Sequence, residues 1–197
     1  MNKHTSIIIL AAGNSSRLGR PKQLIEVGNG TLLTKIIAEA QKSQAKDVYV
    51  VLGYLSDHLK KIIPESVKII ENEHWDKGMG SSIKEGIQHC IKHSIPENII
   101  ISVADQPLLS HVIFDQLIQH ANSASIVASR YNKTNYGPPV LFNQLHIREI
   151  LKIEDQDGAK KVINQHLNET GFIPFNDGVL DIDTENDLSK FRDGISE

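Results

Sequence analysis

The strongest constraint on this chain is an apolar run, residues 7–12, that is followed directly by a loop rich in glycine and positive charge. An uninterrupted apolar run of this length predicts a buried β-strand. Gly13 and Gly19 permit backbone conformations and close approaches that other residues do not allow. The loop also carries three cations, namely Arg17, Arg20 and Lys22. Together these features indicate a binding site for a polyanion, with an ordinary turn and solvated charges as the alternative.

Two common types of phosphate loop are excluded by their spacing. Gly13 and Gly19 are separated by five residues and followed by Arg-Pro-Lys, whereas a Walker loop has four residues and then Gly-Lys-Ser/Thr. A dinucleotide-binding fingerprint needs a third glycine, but Gly28-Asn-Gly30 and Gly78-Met-Gly80 are followed at that position by Leu33 and Ile83.

Composition limits the classes of protein that remain. A chain of 197 residues is long enough for one α/β domain, which we expect over residues 1–197. The formal net charge of −3 gives no reason to expect a nucleic-acid or membrane partner. The single cysteine, Cys90, excludes an internal disulfide, and no apolar run has the length of a membrane span, so we expect a cytoplasmic protein.

Hydrophobic periodicity alternates between strand and helix along the first two thirds of the chain. Further strands are predicted at residues 48–52, 67–70, 98–103, 125–129, 172–175 and 179–182, with a rigid turn at 136–140. Helices are predicted at 32–40 after the cap Thr31, at 55–63, 83–91, 114–121, 143–153 and 159–167, and after the capping-box pattern Thr184 to Asp187. This order predicts a single three-layer α/β domain with a mostly parallel, doubly wound, Rossmann-like sheet and a short antiparallel element.

Candidate metal ligands lie where the predicted strands end. Asp105 follows the strand at 98–103, and Asp181 and Asp183 would point to one face of the last predicted strand. In an open α/β sheet, ligands bind at the carboxyl ends of the strands, so the loops at Gly13, Gly78 and Asp105 would meet. Asp105 with either later aspartate could hold the Mg²⁺ that accompanies a nucleoside triphosphate. The alternatives are a turn-forming aspartate and a helix-capping neighbour.

Three other features carry weaker signals. His89 and His93 are four residues apart, but they lack the glutamate of a zinc-protease motif. Cys90 is in helical register with Ile83 and is expected to be a buried structural thiol. Trp75 could stack on a base or fill a gap in the core.

The motif Leu10-Ala-Ala-Gly-Asn-Ser-Ser-Arg-Leu-Gly-Arg-Pro-Lys-Gln-Leu24 resembles the opening loop of the nucleotidyltransferases with a glycosyltransferase-A-like fold. It is most similar to the molybdenum cofactor cytidylyltransferase branch, which has a MobA-like NTP transferase domain. The resemblance spans nearly the whole chain. It continues through residues 72–82, Asp105-Gln-Pro107, Gly137-Pro-Pro-Val-Leu-Phe142, Asp157-Gly-Ala159 and Asp181-Ile-Asp-Thr184.

The resemblance implies a role for each matching residue. Gly13, Arg17 and Lys22 would hold the triphosphate, Asp105 and Asp183 would bind Mg²⁺, and Arg17, Lys22 and Asp105 would serve catalysis. Two further groups of residues would bind the nucleotide: Leu10, Ala11 and Ala12 in the first loop, with Ala11 and Ala12 near the base, and Gly80, Ser81 and Ser82 in the second loop. Alanine at position 12, where guanylyl-transferring relatives tend to have glycine, favours a pyrimidine nucleotide and hence CTP.

The implied reaction transfers CMP from CTP to the phosphate of a molybdenum–pterin cofactor and releases pyrophosphate. Glu185 replaces a proline that is common in the family, and Gln156 interrupts a Gly-Asp-x-Gly-Ala pattern, so the acceptor half departs most from the family. Transfer to a sugar phosphate or to methylerythritol phosphate is the alternative within the same chemistry. A non-catalytic molybdenum cofactor chaperone is the alternative from another class, and a molybdenum hydroxylase is a candidate partner.

Overall fold

Helices and strands alternate along the computed structural model, which describes residues 4–195, with side chains up to Arg192. The strands are β1 (Thr5–Leu10), β2 (Glu26–Val27), β3 (Gly30–Thr31), β4 (Asp47–Leu52), β5 (Lys68–Glu71), β6 (Asn98–Val103), β7 (Ile126–Arg130), β8 (Tyr136–Asn143) and β9 (Thr170–Pro174). The helices are α1 (Leu32–Lys42), α2 (Ser56–Leu59), α3 (Met79–Ser94), α4 (His111–His120), α5 (Gln144–Ile150), α6 (Lys160–Gln165) and α7 (Glu185–Ile195). Short 3₁₀ helices occupy Lys22–Leu24, Lys60–Ile62, Trp75–Lys77 and Asn176–Val179.

Seven strands form one sheet in the order β5-β4-β1-β6-β8-β7-β9. β1 pairs in parallel with β4 and β6, β4 pairs in parallel with β5, and β7 pairs in parallel with β9. Only β8 runs against its neighbours, β6 and β7. The small strands β2 and β3 form a separate antiparallel hairpin that contains Gly28 and Gly30. The predicted single α/β domain with a mostly parallel sheet and a short antiparallel element is therefore confirmed.

Side chains of β1 alternate between two apolar cores, one on each face of the sheet. Ile7 and Ile9 pack with apolar residues of α1, α4 and α7, whereas Ile8 and Leu10 pack with α3, α5 and α6. Every residue of β1 is buried, which explains why the strand is apolar without interruption. The result is the predicted three-layer arrangement, with the sheet between two layers of helices.

Both predicted helix caps are present. The Thr31 side chain accepts a hydrogen bond from the Thr34 backbone and the Thr34 side chain accepts one from Thr31, which completes a capping box at α1. At α7, the Asp187 carboxylate accepts from the Thr184 backbone at 2.9 Å, and the Thr184 hydroxyl accepts from the Asp187 backbone at 3.3 Å.

The predicted turn at residues 136–140 is wrong, because these residues belong to strand β8. The register between β7 and β8 shifts between Ala128 and Ser129, so that Ala128 pairs with Val140 and Ser129 with Gly137. Pro138 and Pro139 occupy this irregularity. Residues in a bulge are not paired in the ladder, so the absence of an N–H group on proline costs no hydrogen bond there. A proline pair can therefore lie inside a strand when a bulge receives it.

The predicted strand at residues 179–182 is also wrong. A 3₁₀ helix ends at Val179, and the Ile182 N–H then donates to the Asp105 carbonyl, which lies beyond the end of β6. Other boundaries moved less: the first strand ends at Leu10, and the helix predicted at 55–63 is divided into α2 and a 3₁₀ turn. The predicted domain, residues 1–197, extends at both ends beyond the described residues. None of the helices in the described part of the chain has the length and apolarity that a membrane span requires.

Candidate active site

A cavity of about 430 Å³ opens at the carboxyl ends of β1 and β6. The two strands are adjacent and in register, with Leu10 opposite Val103, and the Ala104 N–H donates to the Leu10 carbonyl at 3.2 Å. The cavity is lined by Leu10, Ala11, Ala12, Gly13, Asn14, Lys22, Gln23, Trp75, Asp76, Gly78, Met79, Ser82, Val103, Ala104 and Asp105. The loops at Gly13, Gly78 and Asp105 thus lie around one cavity, at the edge of the sheet where an open α/β fold binds its ligands.

Gln23 holds the first loop in place, and the sequence prediction missed this residue. Its side chain is buried, and its amide nitrogen donates to the Ala11 carbonyl at 2.9 Å and to the Gly13 carbonyl at 2.8 Å. The Lys22 backbone N–H also donates to the Ser15 hydroxyl at 3.1 Å. The sequence did contain a signal for this role, because Gln23 precedes two apolar residues, 24 and 25, and an amide that is buried with apolar neighbours requires polar partners.

The second loop reaches the cavity through Gly78, Met79 and Ser82, whereas Gly80 and Ser81 do not line it. Gly78 has a φ of +126°, and a Cβ on Gly80 would lie 2.2 Å from the Glu154 carbonyl oxygen. These glycines therefore allow residues 154–157 to pack against the start of α3.

Hydroxyl groups at the start of α3 are fixed by a buried amide. The Asn72 side chain donates to the hydroxyls of Ser81 and Ser82 at 2.9 and 3.0 Å. The Ser81 hydroxyl bonds in turn to the Gly78 carbonyl at 2.8 Å. Ser81 therefore supports the loop, and Ser82 presents the polar group on the cavity side.

The predicted cations and carboxylates contact one another. Lys22 Nζ lies 2.6 Å from Asp105 Oδ2 and 2.9 Å from Asp183 Oδ1, and the Arg17 guanidinium lies 2.7 Å from Asp183 Oδ2. Asp183 reaches this place because the Ile182 N–H is bonded to the Asp105 carbonyl. The structure thus brings together four of the predicted site residues, although the strand predicted to present Asp183 is absent.

Arg20, the third cation of the loop, lies apart from this group. It pairs with Glu185 at 2.8 Å, and both side chains are about half exposed. Arg20 is not among the residues that line the cavity.

The electrostatics of the cluster follow from its mixed charges. Burial of Lys22 disfavours its charged form, but the charge of Asp105 and the hydrogen bonds to Asp105 and Asp183 outweigh burial and raise the lysine pKa. Asp181 is exposed as a residue, yet desolvation of its carboxyl group and the negative charge of Asp105 raise the pKa of Asp181 to about 7. Beyond the effect of burial, the negative charge of the neighbouring carboxylates Asp105 and Asp183 raises both pKa values.

The carboxylates are suited to a divalent metal ion. Asp105 Oδ1 is buried and has no hydrogen-bond partner among the residues that the structure describes. A buried carboxylate oxygen without a donor is costly unless a ligand or cation satisfies it. Beside phosphate groups, Mg²⁺ is usually bound by one or two protein carboxylates, and Asp105 and Asp183 match that number. The residues present thus fit a metal ion.

Trp75 lies at the cavity wall rather than in the core. Its side chain is half-buried, lines the cavity and packs against Tyr54 at a ring-centroid distance of 5.6 Å. An aromatic face in this position can stack on a nucleobase.

The fold and the position of the cavity define a nucleotide-binding α/β domain of the nucleotidyltransferase type. The chain belongs to the MobA-like NTP transferase domain family, whose model matches residues 7–170. It is therefore a nucleotidyltransferase-family domain, as the opening motif indicated.

The chain is also similar to individual proteins and solved structures. The bifunctional protein GlmU of Wolbachia sp. subsp. Brugia malayi (strain TRS) is 27% identical over 157 residues, which are 77% of this chain and 38% of that protein. The chain spans 35–38% of the length of the first three GlmU proteins that it matches. Among solved structures, an rv0371c homolog from Mycobacterium sp. strain JC1 has 25% identity and a TM-score of 0.83, covering 98% of this chain and 96% of that one. Molybdopterin-guanine dinucleotide biosynthesis protein A from Archaeoglobus fulgidus has 13% identity and a TM-score of 0.72, covering 97% and 98% of the two chains.

Proposed function

We propose that the chain transfers CMP from CTP to the terminal phosphate of a molybdenum–pterin cofactor and releases pyrophosphate. The observation that carries this proposal is one cavity in which Lys22 and Asp105 lie side by side at the ends of β1 and β6. In the reaction, an acceptor phosphate oxygen forms a bond to the α-phosphorus of CTP, and the bond from that phosphorus to the β-phosphate oxygen breaks. The electron pair of the broken bond leaves with pyrophosphate.

The residues of this chain supply positioning and charge. Lys22 and Arg17 bind the triphosphate and neutralise the charge that develops on the departing pyrophosphate. An acceptor phosphate is already ionised at pH 7, so no general base is required. Asp105 and Asp183 hold Mg²⁺, which neutralises phosphate charge when it is bound.

The nucleotide preference is proposed from the cavity wall. Ala12 is 5% exposed and lines the cavity beside Leu10 and Ala11. A methyl group at position 12 narrows the space at the end of β1 and favours a pyrimidine over a purine. Trp75 offers a stacking face, Gly13 contacts the triphosphate in this proposal, and Ser82 approaches the nucleotide.

The acceptor is tested by comparing substrates directly. Protein treated with EDTA and then supplied with Mg²⁺ is incubated with each of CTP, GTP, ATP and UTP, and with molybdenum–pterin, methylerythritol phosphate or a sugar phosphate. Pyrophosphate release and the mass of the product are measured. We expect release only with CTP and molybdenum–pterin. Turnover with GTP alone would refute the cytidylyl assignment. Turnover with methylerythritol phosphate or a sugar phosphate, and not with molybdenum–pterin, would identify that compound as the acceptor. No turnover with any pair would favour a cofactor chaperone.

The role of Asp105 is tested with a matched pair of variants. Asp105→Asn should abolish turnover and leave the circular dichroism spectrum unchanged, because it removes a metal ligand while preserving shape. Asp57→Asn is the control, since the Asp57 side chain is 92% exposed. Wild-type turnover in Asp105→Asn would remove this residue from the mechanism.

A further inference from the structure

A second cluster of metal-ligating side chains lies on helices α5 and α6, among residues that do not line the nucleotide cavity. His146 and Glu149 are on α5, and His166 is the residue that caps the end of α6. One ligand atom from each of the three side chains lies within 4.8 Å of the other two. Two imidazoles and one carboxylate are a ligand set that suits Zn²⁺ and that Mg²⁺ does not use.

The ring of His146 is oriented toward the cluster. His146 is 5% exposed, and its Nε2 lies 2.9 Å from the Ser125 hydroxyl. Its other nitrogen, Nδ1, is buried without a hydrogen-bond partner in the described part of the chain and lies 3.6 Å from Glu149 Oε1. When Nε2–H donates to Ser125, the lone pair of Nδ1 is available to a metal ion.

The other two ligands are close enough to complete the set. His166 Nε2 lies 2.6 Å from Glu149 Oε2, and the rings of His146 and His166 are 4.6 Å apart at their centroids. With Zn–N distances of about 2.0–2.1 Å, neighbouring ligand atoms of a tetrahedral site are about 3.3 Å apart. The distances from His166 to Glu149 Oε2 and from His146 to Glu149 Oε1, 2.6 and 3.6 Å, lie on either side of this value, and all three ligand atoms lie within 4.8 Å of one another, so the three side chains are near the spacing that the site requires.

We propose that His146, Glu149 and His166 form a Zn²⁺ site that is separate from the Mg²⁺ carboxylates. The bound ion links α5 to the end of α6, so it fixes the two ends of the segment that joins these helices. Residues 154–157 of that segment pack against Gly78 and Gly80 at the start of α3. Because the side chains of Glu149 and His166 are 41% and 25% exposed, the fourth position of the ion faces solvent and takes a water molecule.

Zinc binding is measured on tag-free, full-length protein after EDTA treatment and desalting. A chromophoric chelator competes for Zn²⁺ in excess Mg²⁺, which would compete with Zn²⁺ for the Asp105 carboxylates. Wild-type protein should bind one Zn²⁺ per chain, and Co²⁺ in its place should give the visible spectrum of a tetrahedral site. Zinc should also raise the melting temperature, since a ligand that binds only the folded state stabilises it. Failure of the wild-type protein to bind zinc overturns the proposal.

Variants locate the site. His166→Gln and Glu149→Gln should each lower zinc affinity by more than about 100-fold, since loss of an outer-shell partner alone costs about 10–100-fold. Ser125→Ala should lower affinity by about 10–100-fold, and Ser125→Thr should restore it. His93→Gln is the matched control, because His93 is exposed and its Nδ1 bonds the His89 carbonyl. Equal affinity in wild type and both ligand variants would place the zinc elsewhere and refute the proposal.

Discussion

Replacing Lys22 with methionine is the sharpest test of the charge cluster. The Lys22 and Asp105 side chains are each 19% exposed, and Asp183 is 29% exposed. Removing one partner of a fully buried ion pair costs about 3–5 kcal/mol, whereas a pair at the surface contributes about 0–1 kcal/mol. Since four-fifths of Lys22 is shielded, we expect Lys22→Met to lower the free energy of unfolding by about 2 kcal/mol at pH 7.

The loss should depend on pH in a defined direction. In the wild type, the raised Lys22 pKa means that the lysine contributes its full stability below its ordinary value of 10.5 and loses it only as the pH rises further. In Lys22→Met, the Asp181 carboxyl group loses the attraction of the Lys22 charge and keeps the repulsion of Asp105 and Asp183, so the pKa of Asp181 rises further and its ionisation costs the variant more stability than it costs the wild type. The deficit of the variant relative to wild type should therefore shrink as the pH falls from 7 toward 5.

The assay is urea unfolding followed by circular dichroism, in EDTA and at constant ionic strength. Arg20→Met is the control, because the Arg20–Glu185 pair is exposed and should contribute less than about 0.5 kcal/mol. The double variant Lys22→Met/Asp105→Asn should be more stable than Lys22→Met alone, because it removes one unpaired carboxylate. The reasoning is refuted if Lys22→Met loses the same free energy of unfolding at pH 5 as at pH 7. It is also refuted if the changes in unfolding free energy caused by Lys22→Met and Asp105→Asn simply add in the double variant.

Three further substitutions and one control probe the surroundings of the cluster. The pKa of Asp181 is raised from 3.8 to about 7, so this carboxyl group destabilises the fold progressively as the pH rises from about 4 to about 7, and fully above pH 7. Asp181→Asn should therefore raise the melting temperature at pH 8 and lose this advantage near pH 4, and an equal shift at both pH values would contradict the assignment. Gly80→Ala should cost about 1–3 kcal/mol in urea unfolding, because the new Cβ would lie 2.2 Å from the Glu154 carbonyl oxygen, whereas Gly13→Ala meets no atom within 4 Å and should be nearly neutral. Gln23→Met should lower the free energy of unfolding by about 1–3 kcal/mol and raise the KM for the nucleotide, because it removes the hydrogen bonds to two loop carbonyls. An unchanged KM would show that the loop keeps its shape without these two hydrogen bonds.

The sequence was most informative about features that the burial of neighbouring apolar residues determines. The strand at residues 98–103 was predicted with the bounds of β6, because its apolar run Ile99-Ile100-Ile101 is buried between the two layers of helices. The position of Asp105 followed, because parallel strands end at one edge of the sheet. The cavity shared by the Gly13 and Asp105 loops was therefore predictable from periodicity and topology alone.

The failures have a different cause, since each depends on contacts between distant residues. The Pro138–Pro139 pair looked like a turn because the irregularity that receives it lies in β7, at Ala128 and Ser129. The residues around Ile182 alternate as a strand does, but the hydrogen bond of this residue goes to the Asp105 carbonyl, which no local pattern reports. His146 and His166 gave no motif because two helices bring them together.

The pairing of predicted cations with predicted carboxylates explains how this site can be ordered and still bind a ligand. Each cation of the cluster now neutralises a carboxylate, so the loop, Asp105 and the segment before α7 hold one another in position. Under the proposed function, a metal–triphosphate complex would bring a partner for both sets of charges, because the divalent ion would replace Lys22 beside the carboxylates while the phosphates would replace the carboxylates beside Lys22 and Arg17. Neither a metal ion alone nor a triphosphate alone would offer this exchange, since each would leave one set of charges unpaired. The proposed function therefore predicts that the complex binds more tightly than either component alone.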